Sequence, residues 1–120
     1  IYILGATGTR MDHTITNIGN MKVVADCGKD CHIVDEHNYI YLLSEADGIH
    51  IIRKDSQYGR YVSIIPMSEN VSLSLEGFKY TLDNYELKQG LSICQSNEVE
   101  DEQGIIKVHK GLIIVLETKD

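Results

Sequence analysis

The sequence predicts a mainly β fold, an antiparallel β-sandwich of jelly-roll type or a barrel, preceded by one strand–loop–helix unit of α/β character. Three observations predict it. The first 30 residues hold one segment of near-helical apolar spacing behind a glycine loop. Beyond about residue 44 the apolar period falls to two, in short runs rich in Ile, Val, Leu and Tyr. Glycine and Asp-Ser steps separate those runs, as turns do between hairpin strands. At 42% apolar and 24% charged residues the 120-residue chain suits a packed domain and neither wholesale disorder nor a membrane span.

Taken in order, Ile1-Tyr2-Ile3-Leu4 reads as a short buried strand, and Gly5-Ala6-Thr7-Gly8-Thr9 as a loop whose glycines reach conformations closed to other residues. Ile15, Ile18, Met21 and Ala25 then recur at helical spacing, with Asp12 in the first turn and Gly28 placed to end the helix in a left-handed conformation. Residues 31–35 and 39–43 read as two strands joined through Glu36-His37-Asn38. Further strands are expected over 48–54, 60–66, 70–75, 90–94, 104–109 and 112–118. Alternation is plainest where Ser72 and Ser74 separate Val71, Leu73 and Leu75, giving one buried face. Pro66 sits at a strand end, where its missing N–H costs least. The change of character near residue 44 divides the chain into an α/β part, 1–43, and a β part, 44–120.

Eleven Lys and Arg against 18 Asp and Glu give a charge of −7 and a pI near 5.1, which argues against a general nucleic-acid surface and confines phosphate contacts to local basic sites. Cys27, Cys31 and Cys94 are odd in number and follow no secretory leader, so reduced thiols in the cytoplasm are expected. Cys27, Cys31, His32 and His37 lack the spacing of the common zinc knuckles. Four acids between Glu98 and Glu102 read as a solvated hairpin loop rather than a metal site.

The strongest chemical signal is Gly5 to His13, between a strand and a helix. It lacks the third glycine of a dinucleotide fingerprint and the Gly-Lys-Ser/Thr of a P-loop. What remains brings Arg10, Asp12 and His13 to a helix N-terminus, where backbone N–H groups already favour anions. Arg10 can grip phosphate with a two-pronged donor pair, Asp12 can hold Mg²⁺, and His13 can donate to a phosphate or cap the helix. A glycine turn with a capped helix and a surface arginine is the plainer alternative.

The string GATGTRMDHTITNI resembles the signature of the thiamine pyrophosphokinase (thiamine diphosphokinase) family, whose bacterial members carry G-A-x-G-G-R-x-D-H-T-x-x-N-I. Ile40-Tyr41-Leu42-Leu43, Ser74-Leu75-Glu76-Gly77-Phe78-Lys79-Tyr80 and Ser96-Asn97-Glu98 resemble three later family strings, in the same order. The resemblance implies transfer of pyrophosphate from ATP to the hydroxyl of thiamine with Mg²⁺, giving thiamine diphosphate and AMP. It implies Asp12 and Arg10 as catalytic residues, with Asp12 the metal contact. Gly8, Thr9, Arg10 and His13 would hold the nucleotide, and Ser96, Asn97 and Lys79 the thiamine. It further implies a cytoplasmic homodimer whose active site lies between subunits, with thiamine in the C-terminal sandwich and no nucleic-acid or membrane partner.

Two departures stand out: Thr9 replaces a common second glycine, and Thr81 a frequent proline. The family's Asp-x-Thr-Asp string would lie upstream of Ile1, so the chain reads as the C-terminal portion of such an enzyme, and by itself is expected not to make thiamine diphosphate. A non-catalytic β-module that binds thiamine or a similar small molecule is the alternative.

Overall fold

The computed structural model describes residues 1–5, 10–90 and 92–120. Among them are nine strands and one α-helix: β1 (Tyr2–Leu4), α1 (Met11–Asp26), β2 (His32–Val34), β3 (Asn38–Ser44), β4 (Ile49–Arg53), β5 (Tyr61–Pro66), β6 (Val71–Glu76), β7 (Leu82–Leu87), β8 (Gln103–Lys110) and β9 (Leu112–Thr118). They form two sheets, β1-β2-β3-β9-β5 and β4-β8-β6-β7. Only β1 and β2 pair in parallel; the other pairs are antiparallel.

Alternation along β3 and β9 creates three layers. Tyr41, Leu43, Ile113 and Val115 point into the space between the sheets, where sixteen buried residues form the main core. Ile40 and Ile114 point the other way, joining Met21, Cys31 and Ile33 beneath the helix. A buried aliphatic side chain contributes about 1.5–3 kcal/mol, so the sixteen-residue core outweighs the five-residue one as the source of stability. The five-stranded sheet crosses residue 43 without a break, since β3 bonds to β2 on one edge and to β9 on the other.

The helix ends as its sequence suggests. Gly28 adopts φ +78°, its N–H reaches the Ala25 carbonyl at 2.9 Å and that of Lys29 reaches Val24 at 3.3 Å, which together make a Schellman motif. Its packing face differs from expectation. Met21 is fully buried and Ile18 and Val24 lean on it, whereas Ile15 is 62% exposed.

The strands at 48–54, 60–66, 70–75, 104–109 and 112–118 form within a residue or so of their expected ends, and Val71, Leu73 and Leu75 are buried as the alternation requires. The strand expected over 90–94 does not form: Gly90, Ile93 and Cys94 lie in turns, and Leu91 is outside the described residues. The strand that pairs with β6 is instead Leu82–Leu87, whose Asp83, Asn84 and Glu86 disguise it. As a sheet edge it needs few apolar side chains, and charge there discourages edge-to-edge association.

Candidate functional site at the sandwich end

The Ser74–Tyr80 string becomes a surface platform through three local decisions. Gly77 turns the chain at φ +75°, and a Cβ there would stand 2.1 Å from the Gln103 carbonyl oxygen, so no other residue fits. Its own carbonyl accepts the Glu100 and Asp101 N–H groups at 2.9 and 3.1 Å. Phe78 is buried against Gly104, whose missing side chain makes room for the ring. Lys79 and Tyr80 are thereby left on the surface, Tyr80 with 58% exposure and the Lys79 Nζ 5.6 Å from its ring centroid.

Asn97 holds that platform. It is buried, donates through Nδ2 to the Tyr80 carbonyl at 2.8 Å, and accepts the Tyr80 N–H at 3.0 Å and the Glu98 N–H at 2.9 Å on Oδ1. Its main chain also bridges to Val62 in both directions. The amide expected to read a ligand is therefore committed to the Tyr80 backbone. Ser96, next to it, is exposed at φ +55°, and its N–H donates to the Ser63 hydroxyl at 2.9 Å. Lys79, Tyr80, Ser96 and Asn97 thus converge at one end of the sandwich. Tyr80 was not singled out by its sequence position; its exposure beside Lys79 is a tertiary property.

Charge around this end is ordered rather than diffuse. The Arg60 Nε donates to Glu98 at 2.7 Å, and that hydrogen bond, with Lys79 and Lys54 farther off, holds the Glu98 carboxyl below its ordinary range. Of the acidic run only Glu98 is paired in this way; Glu100, Asp101 and Glu102 are exposed.

The helix N-terminus is built differently. Arg10 Nη2 meets Asp12 Oδ2 at 2.6 Å, with both side chains more than half exposed, and Asp12 Oδ1 accepts the His13 N–H at 3.0 Å. Gly8 and Thr9 lie outside the described residues. Among the described residues no hydrogen bond or ion pair joins Arg10, Asp12 or His13 to Lys79, Ser96 or Asn97. Among the described residues Asp12 belongs to no group of three side chains that could ligate a metal. Cys31 and Cys94 are buried, which pushes both thiols up, and Cys27 is exposed.

Residues 49–113, just over half of the chain and including the whole Gly77–Asn97 platform, match the family described as thiamin pyrophosphokinase, vitamin B1 binding domain. The chain belongs to this family. It is 35% identical to the thiamine pyrophosphokinase of Bacillus subtilis over 100% of its own length and 55% of that protein's, and 33% identical to thiamine pyrophosphokinase 1 of Oryza sativa subsp. japonica over 94% and 42%. The crystal structure of the Bacillus subtilis protein superposes with a TM-score of 0.91, again over 100% of this chain and 55% of the other. That of the Geobacillus thermodenitrificans protein gives 0.86 at 32% identity, over 100% and 54%. The chain therefore spans about half the length of the relatives it matches. Among the described residues no helix is long and apolar enough to cross a membrane.

Proposed function

We propose that the chain serves thiamine diphosphate synthesis, as the part of a thiamine diphosphokinase that carries the vitamin site and one edge of the nucleotide site. The reaction would move the terminal pyrophosphate of ATP to the hydroxyl of thiamine, releasing AMP. Residues 1–43 would belong to the ATP-binding domain and 44–120 would form the vitamin-binding sandwich, in a cytoplasmic homodimer with its active site between subunits. The observation that carries the reading is the Asn97 clamp, which presents Tyr80 and Ser96 at the surface inside the segment matched to vitamin B1 binding.

In this reading Tyr80 offers a ring to the aminopyrimidine or thiazolium, Ser96 offers a hydroxyl, Lys79 steers the phosphate end, and Asn97 acts through the backbone it fixes. At the other end Arg10 would exchange Asp12 for phosphate oxygens, with the loop at Gly8 and Thr9 and with His13 beside it, leaving Asp12 free to contact Mg²⁺. The metal would supply neutralisation of the charge on the transferred group.

Two measurements test this. Thiamine should raise the melting temperature of the 120-residue chain, and Tyr80→Ala with Ser96→Ala should remove the rise. No rise in the parent chain defeats the vitamin site. In an ATP-dependent assay of the chain joined to the remainder of its enzyme, Arg10→Ala should lower turnover by about a thousandfold, and Asp12→Asn should remove most of it. Unchanged turnover in either variant removes that residue from the mechanism.

A further inference from the structure

A cavity of about 470 Å³ opens beside the strands that carry Tyr39, His50 and Glu117, and none of the residues assigned above lines it. Its walls are Tyr2, Tyr39, Tyr58, His50, Gln57 and Glu117. Tyr39 lies 5.7 Å from Tyr58 in this wall, and behind it the buried Tyr41 ring lies 5.2 Å from Tyr39 and 5.0 Å from His50, centroid to centroid. Such a wall needs a polar floor to be selective.

Glu117 supplies that floor. Its side chain is buried, at 5% exposure, yet among the described residues it has no cationic partner, because the ion pairs are Arg10–Asp12 and Arg60–Glu98. Tyr41 donates its hydroxyl to Glu117 Oε2 at 2.7 Å, and the Tyr58 N–H reaches Oε1 at a long 3.3 Å. Having spent its only proton on Glu117, the Tyr41 oxygen must accept from His50 Nε2, 2.9 Å away, which fixes the neutral imidazole as the Nε2–H tautomer. Next to this network the Gln57 Oε1 is buried with no hydrogen-bond partner.

The cavity therefore presents two unmet demands of one kind. A buried carboxylate without a counter-charge and a buried amide oxygen without a donor are each costly when left alone. Both ask for N–H groups, one of them bearing positive charge, and the tyrosine faces favour a flat cation. Lys119 already shows that preference on one side, its Nζ standing 4.6 Å from the Tyr58 centroid without pairing with Glu117. Arg53 at the rim is exposed and faces water.

We propose that this cavity is a second binding site, separate from the Tyr80 end, for a flat organic cation of the amidinium or aminoheterocycle class. The cation sits against Tyr39 and Tyr58, pairs with Glu117 and donates an N–H to Gln57 Oε1.

The test is an amide NMR titration of the 120-residue chain with benzamidinium and, separately, with benzamide, its uncharged near-isostere. Saturable shifts at the Gln57 side-chain amide and the Tyr58 and Glu117 backbone are expected, with benzamide at least about tenfold weaker. Glu117→Gln keeps an acceptor for Tyr41 and should weaken benzamidinium by at least about tenfold. Equal affinity for the two probes, shifts confined to Tyr80 and Ser96, or an unchanged Kd in Glu117→Gln overturns the site. Gln57→Met removes the orphan acceptor without touching the Tyr41 network and should also raise Kd; no change there overturns the site as well. A thiamine-induced melting shift that survives while benzamidinium fails to bind defeats this cavity alone, and the reverse result defeats only the vitamin site.

Discussion

The two ends that carry the proposed site residues are held by different means. At the sandwich end a buried asparagine, a glycine turn and a buried phenylalanine fix the backbone before any ligand arrives, and the exposed Tyr80 and Ser96 inherit that rigidity. At the helix N-terminus Arg10 pairs with Asp12 in water, and Asp12 also takes the His13 N–H, above the smaller of the two cores. Exposed ion pairs contribute little, so nothing there resists rearrangement around phosphate. On the function proposed above, one end would recognise by preorganisation and the other would adapt to its ligand.

The contrast can be broken most sharply at Gly77. Gly77→Ala places a methyl group against the Gln103 carbonyl at a positive φ and should cost about 3 kcal/mol, read as a lower urea midpoint. A variant as stable as the parent would remove the turn from the account. Asn97→Ala comes next. It orphans two N–H groups and one carbonyl at the platform and should cost about 2 kcal/mol, while thiamine loses its effect on melting. Should the thiamine effect persist at full size, Asn97 does not position Tyr80.

A pH effect of smaller size arises in the interior between the ends. Burial is the main influence on both His50 and His32 and holds each below the ordinary histidine value of about 6.5. The unfolded chain then binds more protons than the folded one below that value. Stability is complete above about pH 6.5 and falls as pH drops toward the folded values. Urea unfolding at pH 7.5, 6.5 and 5.5 should show the decline, and His50→Gln should flatten it; Glu98, whose carboxyl is held low, contributes only at more acidic pH. An identical pH profile in His50→Gln would assign the decline to other groups. The smallest effect belongs to Asp12→Asn, which should change stability by no more than about 0.5 kcal/mol. A larger loss would mean that the helix end is anchored as firmly as the sandwich end.

How much of this could be read in the sequence varies with the range of the interaction concerned. Strands such as Val71–Glu76 and Leu112–Thr118 were legible because period-two burial is a local pattern. The helix end at Gly28 was legible because a left-handed cap is a property of one residue. Leu82–Leu87 was not, since an edge strand takes its hydrogen bonds from a neighbour and leaves no apolar signature. The run near Ile93 looked like a strand and became a turn, because its Cys94 carbonyl serves the Ile64 N–H instead of a ladder. The order of the Ser74–Tyr80 and Ser96–Glu98 strings pointed to the right family, while the bonds that tie the Asn97 amide to Tyr80 are tertiary and left no mark in either string.

By itself the sequence determined the β character, the cap of α1 and the family, each a matter of residue type and local spacing. Only tertiary structure decided that Asn97 meets Tyr80 across 17 residues and that Tyr41 meets Glu117 across 76. Buried polar groups must find partners wherever the fold brings them, and no local pattern records which partner that is.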